Sequence, residues 1–387
     1  MKQRQQGMDR LRILAAYFVV GIHLFALLAD FSGGAGAGLF INLFVYALVF
    51  CAVNCFGLLS GYLGYREENN SLRLSSLLML WMQFVFYRVF FLLLPSLLGL
   101  AGPERIVDIF LPVTRRVNWY MTAYFEMMLF APAVNLVIRH SSRSANAIMC
   151  VVLFAFMSLS TPLRAVMNCD PFLLGEGYNW MWLLCLYFWG ASVKKHGWFR
   201  SVPTGKLRLL LLAMLLLTAG WRWGMQSFFD PAGVARKTLP PFRFLPLPFP
   251  LPKFPASLEK LFFSYPSPTV LIASLCLLLL HERLQPCARL DRLIQKASSA
   301  ALGVFLLHTT VWNWLIAPRK QLLSPLPPDW AWLNVLLSAL VITALCIPVD
   351  LMRAWLFEKL RLRQLAERVQ SAVFRVFRAC SFLSTLD

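Results

Sequence analysis

Charge is scarce in this chain. Of 387 residues only 14% are charged and 59% are hydrophobic, whereas a soluble domain carries roughly 25% charged residues. One soluble core cannot hide so much apolar surface, and apolar runs of about 18 or more residues, the length that crosses ~30 Å of hydrocarbon, recur along the chain. Acidic groups are few, 18 against 37 basic ones, for a formal charge of +19. In a soluble protein that excess would point to nucleic acid. Here the basic residues sit at the ends of apolar runs, as the positive-inside bias and anionic headgroups require, so no nucleic acid partner is expected.

Other signals are missing as well. The nine cysteines have no metal or disulfide spacing: Cys51 and Cys55 are four apart within an apolar run and the rest are scattered. They read as small buried hydrophobes, and neither a metal nor a bound cofactor is expected. The glycines of FSGGAGAG at 31–38 have no following Gly-Lys-Ser/Thr and no preceding strand, which leaves an outer turn rather than a phosphate loop. The basic N-terminus runs into Leu11–Leu28 without an A-x-A-like cleavage site, so a retained first span is expected. No internal repeat is visible, which disfavours the second functional reading, a transporter or flippase of lipid-linked glycans.

What is present fits an all-α polytopic membrane protein with about ten transmembrane helices. The runs lie near 11–28, 40–63, 74–99, 119–138, 145–161, 179–193, 207–223, 268–280, 299–317 and 332–352. An even count puts both termini on one side. With that side cytoplasmic, the inner segments hold 24 Lys and Arg and the outer ones 12, Arg88 lying inside the third run. This split predicts cytoplasmic termini. Residues 1–355 then form the membrane domain. Its longest external loop, 224–266, contains PPFRFLPLPFPLPKFP at 240–255, too proline-dense for a helix and extended in expectation. Residues 356–387 form a basic tail in which Leu362, Leu365, Ala366, Val369, Val373, Val376 and Phe377 recur at helical spacing. That stripe predicts an amphipathic helix on the inner membrane surface, in contact with lipid.

The first run holds the sharpest chemical feature. Arg12 and His23 are eleven residues apart, three turns plus ~20°, and so share one helical face about 16 Å apart along the axis. An ionisable group at that depth is costly and is a functional candidate. The bland alternative is an imidazole that bonds a neighbouring helix. Ser60, Gly61 and Tyr62 end the second run close in depth to Arg12, where glycine permits close packing. Trp119, Tyr120 and Tyr124 fall at the outer end of the fourth, as an aromatic belt does. Glu126 is an intramembrane acid with Arg88 or His23 as expected partner, His308 lies mid-span within reach of His23, and Asp350 and Arg353 are three apart and expected to pair.

Taken in order, MDRLRILAAYFVVGIHL, NCFGLLSGYLGY at Asn54–Tyr65, NWYMTAYFEMMLFAPAVN at Asn118–Asn135, YPSPTVLIASL, ALGVFLLH and IPVDLMRAWLF resemble six segments of acyltransferase family 3, over residues 8–358. The family's Arg-x10-His signature matches Arg12 and His23. The resemblance implies transfer of an acyl group, commonly acetyl, from acyl-coenzyme A as cosubstrate to a sugar hydroxyl of a surface glycan or its lipid-linked precursor, at the bacterial cytoplasmic membrane. His23 would be general base. Arg12, Arg66 and Arg73 would hold the coenzyme's phosphates, with Ser60 and Tyr62 nearby; Trp119, Tyr120, Tyr124, Glu126 and His308 would face the acceptor. One departure stands out. Where relatives carry Arg-x-x-Arg entering the third span, this chain reads YREENNSLRLSSLL, with Arg73 alone at the helix start.

Overall fold

A computed structural model describes residues 6–29, 31, 36–67, 72–97, 99, 106–115, 118–167, 170, 172–228, 261–285, 288–311 and 326–379. Among them every regular element is helical. In chain order the α-helices are α1 Gln6–Leu28, α2 Ala37–Phe50, α3 Ala52–Gly64, α4 Leu74–Leu97, α5 Ile106–Phe110, α6 Trp119–His140 and α7 Arg143–Met167. They continue with α8 Trp180–His196, α9 Thr204–Phe228, α10 Pro268–Glu282, α11 Ala288–Ser299, α12 Ala301–Val311, α13 Ala331–Lys359 and α14 Leu362–Ala379.

Each of the ten apolar runs coincides with helix over most of its described residues, 312–317 of the ninth lying outside them, but they are not equal. Among the described residues six helices are long and apolar enough to cross a membrane: Gln6–Leu28, Ala37–Gly64, Trp119–His140, Arg143–Arg164, Thr204–Gln226 and Pro328–Lys359. Leu74–Phe90 and Pro268–Glu282 are shorter apolar helices. The run at 179–193 becomes α8, only 17 residues long and buried along most of its length, which suits a helix enclosed by others rather than one facing lipid. The run at 40–63 is broken at Cys51 into α2 and α3.

Three boundaries differ from the sequence reading. The loop expected from residue 224 begins later, because α9 continues to Phe228; the proline-rich stretch 240–255 lies outside the described residues, as do residues 32–35 of the glycine turn. The basic segment before the ninth run is not a loop but α11, whose Ala288–Ser299 alternate charged and apolar positions at helical spacing. The tail starts later than 356, since α13 runs to Lys359 and turns at Arg361 in left-handed conformation (φ 54°) before α14. On α14, Ala366 is buried against the bundle, whereas Leu365, Val369 and Val376 are exposed. The helix thus leaves an apolar strip exposed beside its one buried contact.

Sequence-local devices start the helices. Asn118 accepts a hydrogen bond from Met121 N, Asn179 from Met181 N, and Ser267, followed by Pro268, from Val270 N, each satisfying a donor that the first turn leaves free. Packing then depends on small residues. A Cβ on Gly61 would lie 1.9 Å from Tyr187 O, and one on Gly190 2.0 Å from Leu58 O, so α3 and α8 cross at backbone contact. Helix α1 sits centrally, against α2, α3, α10, α11, α12 and α13. Buried amides tie the loops beyond its His23 end: Asn42 donates to Pro328 O and accepts from Trp332 N, while Asn54 donates to Tyr265 O and accepts from Trp182 Nε1.

Candidate active site

At the end of α1 that carries Arg12, the arginine is held rather than loose. Ser298, at the end of α11, donates to Asp9 Oδ1 at 2.7 Å, and Arg12 donates to Ser298 Oγ at 3.3 Å and pairs with Asp9 at 3.5 Å. Asp9 and Arg12 are three apart on one helix, the spacing that brings side chains together. Asp9 is almost wholly buried, while a third of the Arg12 side chain stays accessible. The carboxylate therefore fixes the guanidinium without covering it.

Its free face looks into a cavity of about 300 Å³. Arg12, Ser60, Gly64 and Arg73 line one part of it, and Leu80, Tyr120, Phe56 and Phe305 another. Depth along the helices orders these groups. On α3, Gly64 follows Phe56 by eight residues, about 12 Å of rise. The cavity is thus cationic at its mouth and aromatic at its far end, where the ring centroids of Phe56 and Tyr120 are 6.2 Å apart and those of Tyr120 and Phe305 5.0 Å.

One helical turn past Phe305 is His308, with ring centroids 5.9 Å apart. His308 Nε2 lies 3.1 Å from His23 Nδ1. Each Nδ1 also faces a carbonyl: His23 at 2.9 Å from Val19 O, His308 at 3.1 Å from Val304 O. Because a carbonyl oxygen only accepts, both Nδ1 atoms carry hydrogen in the neutral pair. His308 Nε2 then shares the single His23 Nδ1–H with Val19 O. The assignment leaves one basic nitrogen, His23 Nε2, on a side chain that keeps accessible surface although its partner is buried. A nitrogen oriented by a second group and open to an incoming hydroxyl is what a general base needs.

A family model for an acyltransferase domain matches residues 5–349. The chain belongs to the membrane acyltransferase family 3. It is a multi-pass membrane acyltransferase. No match was found among curated proteins or among solved structures.

Within this acyltransferase the residues singled out from sequence fall into three places. Arg12, Ser60, Arg73, Tyr120 and Tyr124 line the cavity together, and His23 and His308 meet beyond its aromatic end. The outer belt position expected for Tyr120 and Tyr124 is corrected here: with Met128 they form an i, i+4, i+8 stripe on the interior face of α6. Trp119 turns instead to Tyr178 and Tyr265, at ring centroids of 4.6 and 6.1 Å. Tyr62 is buried away from the cavity and donates to Glu282 at 2.9 Å. Arg66 is exposed and outside the lining. Glu126 was expected to pair with Arg88 or His23, but among the described residues it makes no ion pair; its direction on α6 is shared with Phe130, 40° away and exposed.

Two groups escaped the sequence reading. Asp9 had a local signal, an acid three residues before Arg12, that alone does not say the pair is buried. Phe305 had none, since an aromatic in an apolar run is normally core.

Proposed function

We propose that this acyltransferase transfers an acyl group, in the first instance acetyl, from acyl-coenzyme A to a hydroxyl of a cell-envelope polysaccharide or lipid-linked sugar at the bacterial cytoplasmic membrane. The observation that carries the reading is one line of groups: a cationic mouth at Arg12 and Arg73, an aromatic far end, and, one turn further, His308, whose ring meets His23 with its remaining basic nitrogen. The cavity is at the small end of ligand pockets. It suits the coenzyme's slender acylated arm, with the phosphates at Arg12 and Arg73 and the nucleotide outside, toward Arg66. Guanidinium forks match phosphate oxygens.

In the transfer, His23 Nε2 takes the acceptor hydroxyl's proton as the oxygen attacks the thioester carbonyl carbon. The C–S bond breaks, the acyl group stays on the oxygen, and the proton passes to the departing sulfur, leaving coenzyme A as the free thiol. His308 accepts the Nδ1 hydrogen throughout and so steadies the charge that forms on His23. The aromatic pair Trp119 and half-exposed Tyr178 provides ring faces for a sugar at the other end.

Arg12 tests the donor half. Arg12→Ala is expected to raise the apparent KM for acetyl-coenzyme A with a smaller effect on turnover at saturation, the signature of lost binding made equally in ground and transition states. Arg12→Lys should recover only part of it, because an ammonium keeps the charge but not the fork. Wild-type affinity in both variants would remove Arg12 from the donor site. The orientation is checked separately. Cysteines introduced at Ser142, just before α7, and at Leu173, in the segment that follows it, should differ toward an impermeant thiol reagent added outside cells, with Leu173→Cys labelled and Ser142→Cys protected. The reverse pattern would invert the membrane sidedness.

A further inference from the structure

The cavity and the basic nitrogen do not communicate. Neither His23 nor His308 is among the cavity-lining residues, although Phe305, which touches His308, is. Phe305 is 8% exposed and Tyr120 6%, and their rings lie tilted against each other at 58°. The line between the cavity and His308 thus passes through the Phe305 side chain. His23 itself keeps accessible surface. A thioester lying in the cavity therefore meets the Phe305 ring before the His308–His23 pair.

We propose that Phe305 is a specificity-determining residue that keeps water from serving as acceptor, by parting the donor cavity from His23 until an acceptor hydroxyl is in place. The inference rests on the reading of the cavity as the acyl-coenzyme A site. Its chemical logic is simple. His23 Nε2 can take a proton from water as well as from a sugar hydroxyl; hydroxide then attacks the thioester carbon, the C–S bond breaks, and a carboxylic acid and the coenzyme thiol result. The intervening Phe305 ring prevents this. An energetically excited donor kept beside an exposed base would otherwise drain without product, and exclusion of water from such sites is a recognised function of closing elements. An aromatic ring suits the task because one χ1 rotation between staggered wells moves it aside without moving the helix.

The test uses the full-length protein in detergent with acetyl-coenzyme A and no sugar, measuring thiol release, with binding of coenzyme A measured in parallel. Phe305→Ala is expected to raise acceptor-free release by about tenfold or more, within the ~10²–10⁴ that a general base supplies. Phe305→Leu, which keeps an apolar side chain in the packed helix, should give a smaller rise and decides the matter if the alanine variant does not fold. The double variant Phe305→Ala with His23→Ala should return to the wild-type rate. Unchanged release in the Phe305 variants with coenzyme A still bound overturns the partition, as does a rise that survives loss of His23. Failure of the wild-type protein to bind coenzyme A overturns the donor-site reading itself, a separate result.

Discussion

His23→Ala is expected to cut acyl transfer by about 10²–10⁴-fold, the usual cost of removing a general base, while coenzyme binding and membrane insertion stay close to wild type. Insertion is spared because one interhelical polar contact contributes only ~0.6–2 kcal/mol to a membrane bundle. The ring's neighbours are Val19 O and His308, neither of which is left charged when the imidazole goes. His308→Ala should lower turnover less than His23→Ala and leave the KM for the donor alone, since His308 acts through His23. Measured glycan acylation in cells, with turnover and coenzyme binding in detergent, separates these effects. Normal acylation in a well-expressed His23→Ala strain would end the assignment of the base. Together with Arg12→Ala it forms a crossed pair, one variant losing turnover and the other affinity, that no purely structural account of α1 produces.

The largest loss of stability is expected at Asp350. Its carboxylate is 1% exposed and accepts from Tyr87 at 2.5 Å, Gln83 at 3.0 Å and Arg353 at 2.8 and 3.0 Å. Asp350→Ala leaves the Arg353 guanidinium, itself 9% exposed, without that partner, and breaking a buried ion pair in this way costs about 3–5 kcal/mol. Thermal unfolding in detergent should shift down strongly. Replacing Asp350 and Arg353 together by Leu and Met should recover much of it, because no lone charge remains buried. A single variant as stable as wild type would show that the node contributes nothing. The node also reaches the chemistry: a Cβ on Gly303 would sit 2.1 Å from the Asp350 carboxyl carbon. Gly303→Ala must push α12 away, and with it Phe305 and His308. Activity should fall even where the protein is still produced.

How legible this was from sequence depends on range. The helices could be read because bilayer-length apolar runs carry their own signal, and Asn118, Asn179 and Ser267 mark their starts locally. The Arg12–His23 face was legible because both residues share one helix. The Asp350–Arg353 pair followed from a spacing of three, whereas Tyr87 and Gln83, from another helix, carry no mark of joining it. Tyr62 was misjudged for the same reason. Its depth on α3 was right, but depth does not give azimuth, and the side chain points to Glu282 rather than to Arg12. Tyr120 and Tyr124 looked like belt residues because aromatics at a helix end are common at either interface, and only the packing of α6 turns their stripe inward. The proline-dense loop has composition enough to exclude a helix and no more.

The contact between His23 and His308 joins positions 285 residues apart in the chain. A ribosome adding about 5–20 residues per second needs roughly 15–60 s between the two. For that interval the first helix is already in the membrane with its imidazole and no partner to orient it. Asp350, which fixes the partner's helix, arrives later still. The His23–His308 pair is thus among the last features of the molecule to be assembled, and a nascent or truncated chain that ends before α12 carries the Arg12–His23 motif in full and is expected to be inert.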